Sequence, residues 1–208
     1  VQMRWLTQGL SSDLIVFFGG WAVGDGVLAA MPVTHDVLFV DDYRTVNLNL
    51  PDLSHYRETT LIAWSFGVAA YGHWWAEKGQ DAHKFTRQIA LCGSLDPVSL
   101  RKGIPPRIFK ATRDGLSVES YQAFLSNSFG ARQARTSIDL ETRRAELDAV
   151  AARGAAPDPG FDRIWIASND KIFPRANLER AWDGQPQAFV AAPHVPFASF
   201  DRWDGLWR

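Results

Sequence analysis

The chain has almost no cysteine. Its 208 residues hold one, Cys92, so no internal disulfide can form and a small scaffold stapled by bridges is excluded. A surplus of one charge is lacking too: 22 Lys+Arg against 23 Asp+Glu give a formal net charge of −1, which argues for neither a nucleic-acid nor a membrane partner. No apolar run has the length of a spanning helix and no stretch has the pattern of a signal peptide, so a reducing cytoplasm is the expected home. His and Cys clusters with ligand spacing are missing, and neither a metal nor an organic cofactor is expected. Aromatic residues, by contrast, are abundant. Nine Trp and thirteen Phe suffice to line a pocket as well as to fill a core. At 46% hydrophobic and 22% charged, residues 1–208 fit one globular domain with an insertion.

The apolar runs alternate with helical patterns. Met3 to Leu6 and Leu14 to Phe18, joined by the turn-rich stretch 8–13, read as an opening hairpin. Leu14-Ile15-Val16-Phe17-Phe18 is apolar throughout, as a strand buried on both faces must be. Further strands are expected at Val37–Val40, Thr59–Trp64, Gln88–Cys92, Arg163–Ala167 and Phe189–Ala191, with a helix from Val68 to Lys78 stopped by Gly79. His73 in that helix reads as structural. Cys92 lies within its strand and not at an exposed tip, which argues against a catalytic thiol. Asp41 and Asp42, at a strand end with no metal-ligand partner nearby, read as turn and capping groups. Residues 99–158 switch to helical patterning, with Ser117 and Ser137 as N-caps and Gly154 as the stop, so a helical cap is inserted into an α/β chain.

The chemistry gathers in the loops after the strands. Thr59-Thr60-Leu61-Ile62-Ala63-Trp64-Ser65-Phe66-Gly67 reads as strand, tight turn and helix, the nucleophile-elbow arrangement, with Ala63 where G-x-S-x-G has its first glycine. Ser65 is the candidate nucleophile. Asp170 follows the strand ending at Ala167 and His194 follows the final strand, so acid and base complete the order Ser65, Asp170, His194. That order, at the carboxyl edge of a mostly parallel central sheet flanked by helices, is the order of the α/β-hydrolase fold. Gly19-Gly20-Trp21 closes the second strand, and the backbone N–H groups of Trp21 and Phe66 are the candidate oxyanion donors. Trp21, Trp64 and Phe66 flank the nucleophile and are candidates to line an acyl channel. A thioesterase would use the same machinery, so the triad leaves the bond that is cut open. A small-ester carboxylesterase and a catalytically silent acyl-binding fold stand as alternatives.

Four stretches carry a resemblance. Phe17-Phe18-Gly19-Gly20-Trp21, Ala63-Trp64-Ser65-Phe66-Gly67, Asp170-Lys171-Ile172-Phe173-Pro174 and His194-Val195-Pro196-Phe197 resemble the BioG-type pimeloyl-[acyl-carrier protein] methyl ester esterases. The resemblance implies hydrolysis of the methyl ester of a carrier-bound pimeloyl chain in biotin precursor synthesis, with Ser65, Asp170 and His194 as nucleophile, acid and base. It implies an acyl-carrier protein as partner. Residues 99–150 hold nine Lys+Arg against six Asp+Glu, and this basic cap on an acidic body suits an acidic partner. Arg132, Arg135, Arg143 and Arg144 are the candidate docking residues.

Overall fold

The computed structural model describes residues 1–208, the side chain of Gln80 apart. Seven strands form one sheet: β1 (Gln2–Thr7), β2 (Asp13–Phe18), β3 (Asp36–Asp41), β4 (Glu58–Trp64), β5 (Arg87–Leu91), β6 (Arg163–Ala167) and β7 (Gln187–Val190). Their spatial order is β1-β3-β2-β4-β5-β6-β7, and every pairing is parallel except β1 with β3. The expected hairpin is therefore wrong, because β1 pairs with β3 and not with β2. The burial pattern explains the difference. β2 is apolar on both faces and needs a strand on each flank, whereas β1 exposes Gln2 and Met3 and suits an edge. Asp36 fixes the intervening loop: its carboxylate accepts from the backbone N–H groups of Gly9, Leu10 and Ser11 at 2.8, 2.8 and 3.2 Å, and from the Tyr56 hydroxyl at 2.7 Å.

The alternation of strand side chains divides the core in two. Val16, Phe18, Leu38, Val40, Leu61 and Ala63 point to one face, where they meet buried residues of all five α-helices. These helices are α1 (Phe66–Lys78), α2 (Pro106–Asp114), α3 (Val118–Phe129), α4 (Leu140–Arg153) and α5 (Arg175–Ala181). Ile15, Phe17, Phe39, Ile62 and Trp64 point to the other face, covered by Val27, Leu28, Met31 and the closing segment with Phe197, Trp203 and Leu206. That closing segment forms short 3₁₀ turns at Phe197–Ser199 and Trp203–Leu206. No helix among the described residues is long and apolar enough to cross a membrane.

Three helices, α2 to α4, lie between β5 and β6, where the sequence changes to helical patterning. Ser117 caps α3 in a reciprocal capping box with Ser120. The cap of α4 is Asp139 and not Ser137: its carboxylate accepts from the Thr142 N–H at 3.1 Å, and residues 137–139 stay outside the helix. Helix α2 opens with Pro106 in its first turn, where the missing N–H costs no intrahelical bond.

Candidate active site

Strand β4 runs to Trp64, and α1 starts at Phe66, so the whole reversal falls on Ser65. Its φ is +59° and ψ −125°, a strained backbone for any residue with a Cβ, which aims the side chain out of the sheet edge. The turn closes only because its neighbours are small. A Cβ on Gly67 would lie 2.2 Å from the Phe18 carbonyl oxygen, so glycine is required there. Ala63, buried between Phe18 on β2 and Ala90 on β5, fits without displacing either strand.

Two loops converge on that serine. His194 Nε2 stands 3.0 Å from Ser65 Oγ, and His194 Nδ1 stands 2.7 Å from Asp170 Oδ2. The other oxygen, Asp170 Oδ1, accepts from the Ile172 and Phe173 N–H groups at 2.7 and 2.9 Å, which fixes the carboxylate's orientation. With a proton on Nδ1 the imidazole donates to Asp170 and leaves Nε2 to accept from the serine hydroxyl. Both side chains are sealed from solvent, at 1% exposure for His194 and 0% for Asp170. Phe173 stacks on the imidazole at 5.9 Å between centroids and 14° between planes.

Beside Ser65 opens a cavity of about 290 Å³. Trp21 and Phe66 form its wall on the body side, and Ile104, Phe109, Leu116, Phe124 of α3 and Leu147 of α4 close it from the insertion. Ile108, Lys171 and Ile172 also line it. The sequence did not single out these helical residues as a wall, since their apolar spacing reads equally as ordinary core. Among the described residues, neither the Phe66 nor the Trp21 backbone N–H donates to a protein acceptor.

Two of the expected assignments are corrected. Trp64 does not face the cavity: its side chain lies on the opposite face of the sheet, is 0% exposed, and donates from Nε1 to the His194 carbonyl at 2.9 Å. Strand alternation sends Trp64 one way and its neighbour at the turn the other, so adjacency in sequence misled. It supports the loop of His194 and does not line the cavity. Nor are Arg143 and Arg144 free for a partner. Arg143 Nη1 donates to Glu146 at 2.8 Å, while Arg144 donates to the carbonyls of Arg113 and Leu116 at 3.2 and 3.0 Å. Arg132 and Arg135 are exposed and in no ion pair among the described residues. His73 lies against the Gly154 carbonyl at 3.2 Å, away from the triad, and burial lowers its pKa. Cys92 is buried at the end of β5, where burial first and then Asp170 push its thiol well up, far from a thiolate.

The sequence model of the pimeloyl-ACP methyl esterase BioG matches residues 2–152. The chain belongs to the BioG family. That match includes Ser65 and the inserted helices but ends before Asp170 and His194, which the geometry alone brings to the serine. The crystal structure of BioG from Haemophilus influenzae superposes with a TM-score of 0.87 over 100% of both chains at 27% identity. A Haemophilus influenzae protein named only as uncharacterized is 31% identical over 208 positions, covering 93% of this chain and 94% of its own length. A Bacteroides fragilis relative, named malonyl-[acyl-carrier protein] O-methyltransferase, is 29% identical; the match takes in 83% of this chain and 37% of that protein. Solved esterases and a lipase-esterase related protein, only 10–14% identical, match at TM-scores of 0.62–0.65 and show the α/β-hydrolase fold alone.

Proposed function

We propose that this BioG-family chain is a serine esterase that removes the methyl group from a pimeloyl methyl ester carried on acyl-carrier protein. The observation that carries this reading is the hydrogen-bonded run from Ser65 through His194 to Asp170, at 3.0 and 2.7 Å, beside an apolar cavity in a BioG-family chain. A cavity of about 290 Å³ is near the lower end of small-molecule pockets and suits a single extended acyl chain. Trp21 and Phe66 bound it next to the nucleophile.

In the reaction, His194 Nε2 takes the Ser65 proton as Oγ attacks the ester carbonyl, while Asp170 orients the imidazole and stabilises its positive form. The N–H groups of Phe66 and Trp21 receive the tetrahedral oxyanion. His194 then protonates the departing methoxide, and methanol leaves. Water activated by the same imidazole attacks the acyl-serine, frees the pimeloyl carboxylate and restores Ser65. Ester hydrolysis of this kind asks nothing more than these groups and water. The insertion of residues 99–158 acts as the cap over the acyl chain, and Arg132 and Arg135 are two of its exposed cations for an acidic carrier. The carrier-protein methyltransferase name on a relative that is 29% identical to this chain fits a methyl ester as the bond to be cut.

The test is methanol release from carrier-bound pimeloyl methyl ester by the purified protein and by Ser65→Ala. Release by the first and not by the second is expected. Release by both would remove Ser65 from the reaction.

A further inference from the structure

The loop after β2 carries the Trp21 N–H, and its position is set largely from outside the sheet. At its start, Gly19 donates to the Val40 carbonyl at 2.8 Å and its carbonyl accepts from the Tyr43 hydroxyl at 2.9 Å. At its far side the ties run to the inserted helices. The Tyr121 hydroxyl of α3 donates to the Ala22 carbonyl at 2.7 Å, and the Trp21 indole Nε1 donates to the Arg143 carbonyl of α4 at 2.9 Å. Ala22 has a φ of +60°. A non-glycine residue holds that left-handed conformation only when its surroundings impose it, and the bond from Tyr121 grips the same residue's carbonyl.

The clamp and the acyl wall share residues. Phe124, three positions beyond Tyr121 on α3, meets the Trp21 ring edge-on at 4.9 Å between centroids, and both rings line the cavity. An acyl chain that fills the cavity thus presses on the ring of the residue whose backbone N–H is the proposed oxyanion donor.

We propose that Tyr121 is a positioning residue. Its hydroxyl holds the Ala22 carbonyl, and through it the Trp21 N–H, in place for the oxyanion, so the insertion sets the rate of the chemical step as well as enclosing the acyl chain. This rests on the assignment of Ser65 as nucleophile and of Trp21 as oxyanion donor. Tyr121 is only 4% exposed and packed in the core, so Tyr121→Phe keeps the packing and removes one hydrogen bond. Misplacement of a catalytic group by about 1 Å costs on the order of a hundredfold in rate.

The experiment compares wild type, Tyr121→Phe and Ser65→Ala on pimeloyl methyl ester presented on the carrier protein. Tyr121→Phe is expected to lower kcat roughly ten- to a hundredfold with KM changed by less than about threefold, the signature of an interaction made in the transition state. Affinity for a trifluoromethyl ketone, whose serine adduct places an oxyanion in the hole, should weaken in proportion to kcat/KM. Binding of the uncleaved ester should be equal in Ser65→Ala and in Ser65→Ala/Tyr121→Phe, which a general loosening of the cap would not leave equal. Wild-type kcat in Tyr121→Phe, or a matched loss of ester binding in the double variant, would overturn the proposal while the Ser65 assignment stood. Activity in Ser65→Ala would overturn both.

Discussion

At the scale of single residues, Ser65, Trp64 and Ala22 show how much the site depends on backbone shape. Ser65 and Ala22 both hold a positive φ without being glycine, one presenting the hydroxyl and the other following the proposed oxyanion donor. The serine was legible because strand, small residues and helix surround it in order. The glycine pair before Trp21 marks its N–H as a candidate donor, but nothing marks Tyr121, since a tyrosine at helical spacing reads as core until its hydroxyl is seen on the Ala22 carbonyl. Trp64 shows the converse, for closeness to the nucleophile in sequence placed it on the wrong face. The base assignment carries a prediction by substitution. His194→Ala should lose hydrolysis about as completely as Ser65→Ala, because nucleophile and base act as a unit. Loss of activity in His73→Ala with activity kept in His194→Ala would move the base elsewhere.

At the scale of elements, the sheet was readable from apolar runs and its order was not. Six of the seven strands are parallel, and such pairings are set by what covers each flank and not by local turns. The stretch between β1 and β2 contains turn residues, which suggested a hairpin, yet its N–H groups are claimed by Asp36 on β3. Burial pushes the Asp36 carboxyl up, but the Tyr56 hydroxyl and the three N–H groups outweigh it, and its pKa ends below the ordinary value of 3.8. The folded carboxyl therefore sheds its proton more readily than the unfolded one. Its contribution to stability is present above the ordinary aspartate range and is lost as pH falls through the lowered value. Asp36→Asn, which keeps one acceptor oxygen, should destabilise the protein at neutral pH by about 1–2 kcal/mol in urea unfolding. The difference from wild type should shrink in acid. A gap that widened below pH 3.8 would contradict this account of the loop.

At the scale of the whole molecule, the insertion meets the body through a few buried links. Glu146 of α4 is fully buried, accepts from the Tyr43 N–H at 2.9 Å and from Arg143 at 2.8 Å, and joins the helix to the end of β3. Burial raises its pKa despite those donors. The basic count in residues 99–150 was visible in the sequence, but which arginines were already engaged was not, since that depends on carbonyls and carboxylates brought near only by folding. Of the four candidates, Arg132 and Arg135 are left to steer a carrier protein. Arg132→Glu/Arg135→Glu should lower kcat/KM on the carrier-bound ester and flatten its dependence on salt, while hydrolysis of a small neutral ester stays near wild type. Equal loss on both substrates would indicate structural damage, and no loss on the carrier substrate would place docking elsewhere. The central claim is that Ser65 cuts the methyl ester and leaves the carrier thioester whole. It is tested most directly by the intact mass of the carrier protein bearing pimeloyl methyl ester before and after incubation with enzyme. The account predicts a carrier that has exchanged a methyl group for a hydrogen and keeps its pimeloyl chain, and an unchanged carrier with Ser65→Ala, whose activity should fall by a factor on the order of 10⁶. A carrier stripped of its entire acyl chain by the wild-type protein would contradict it.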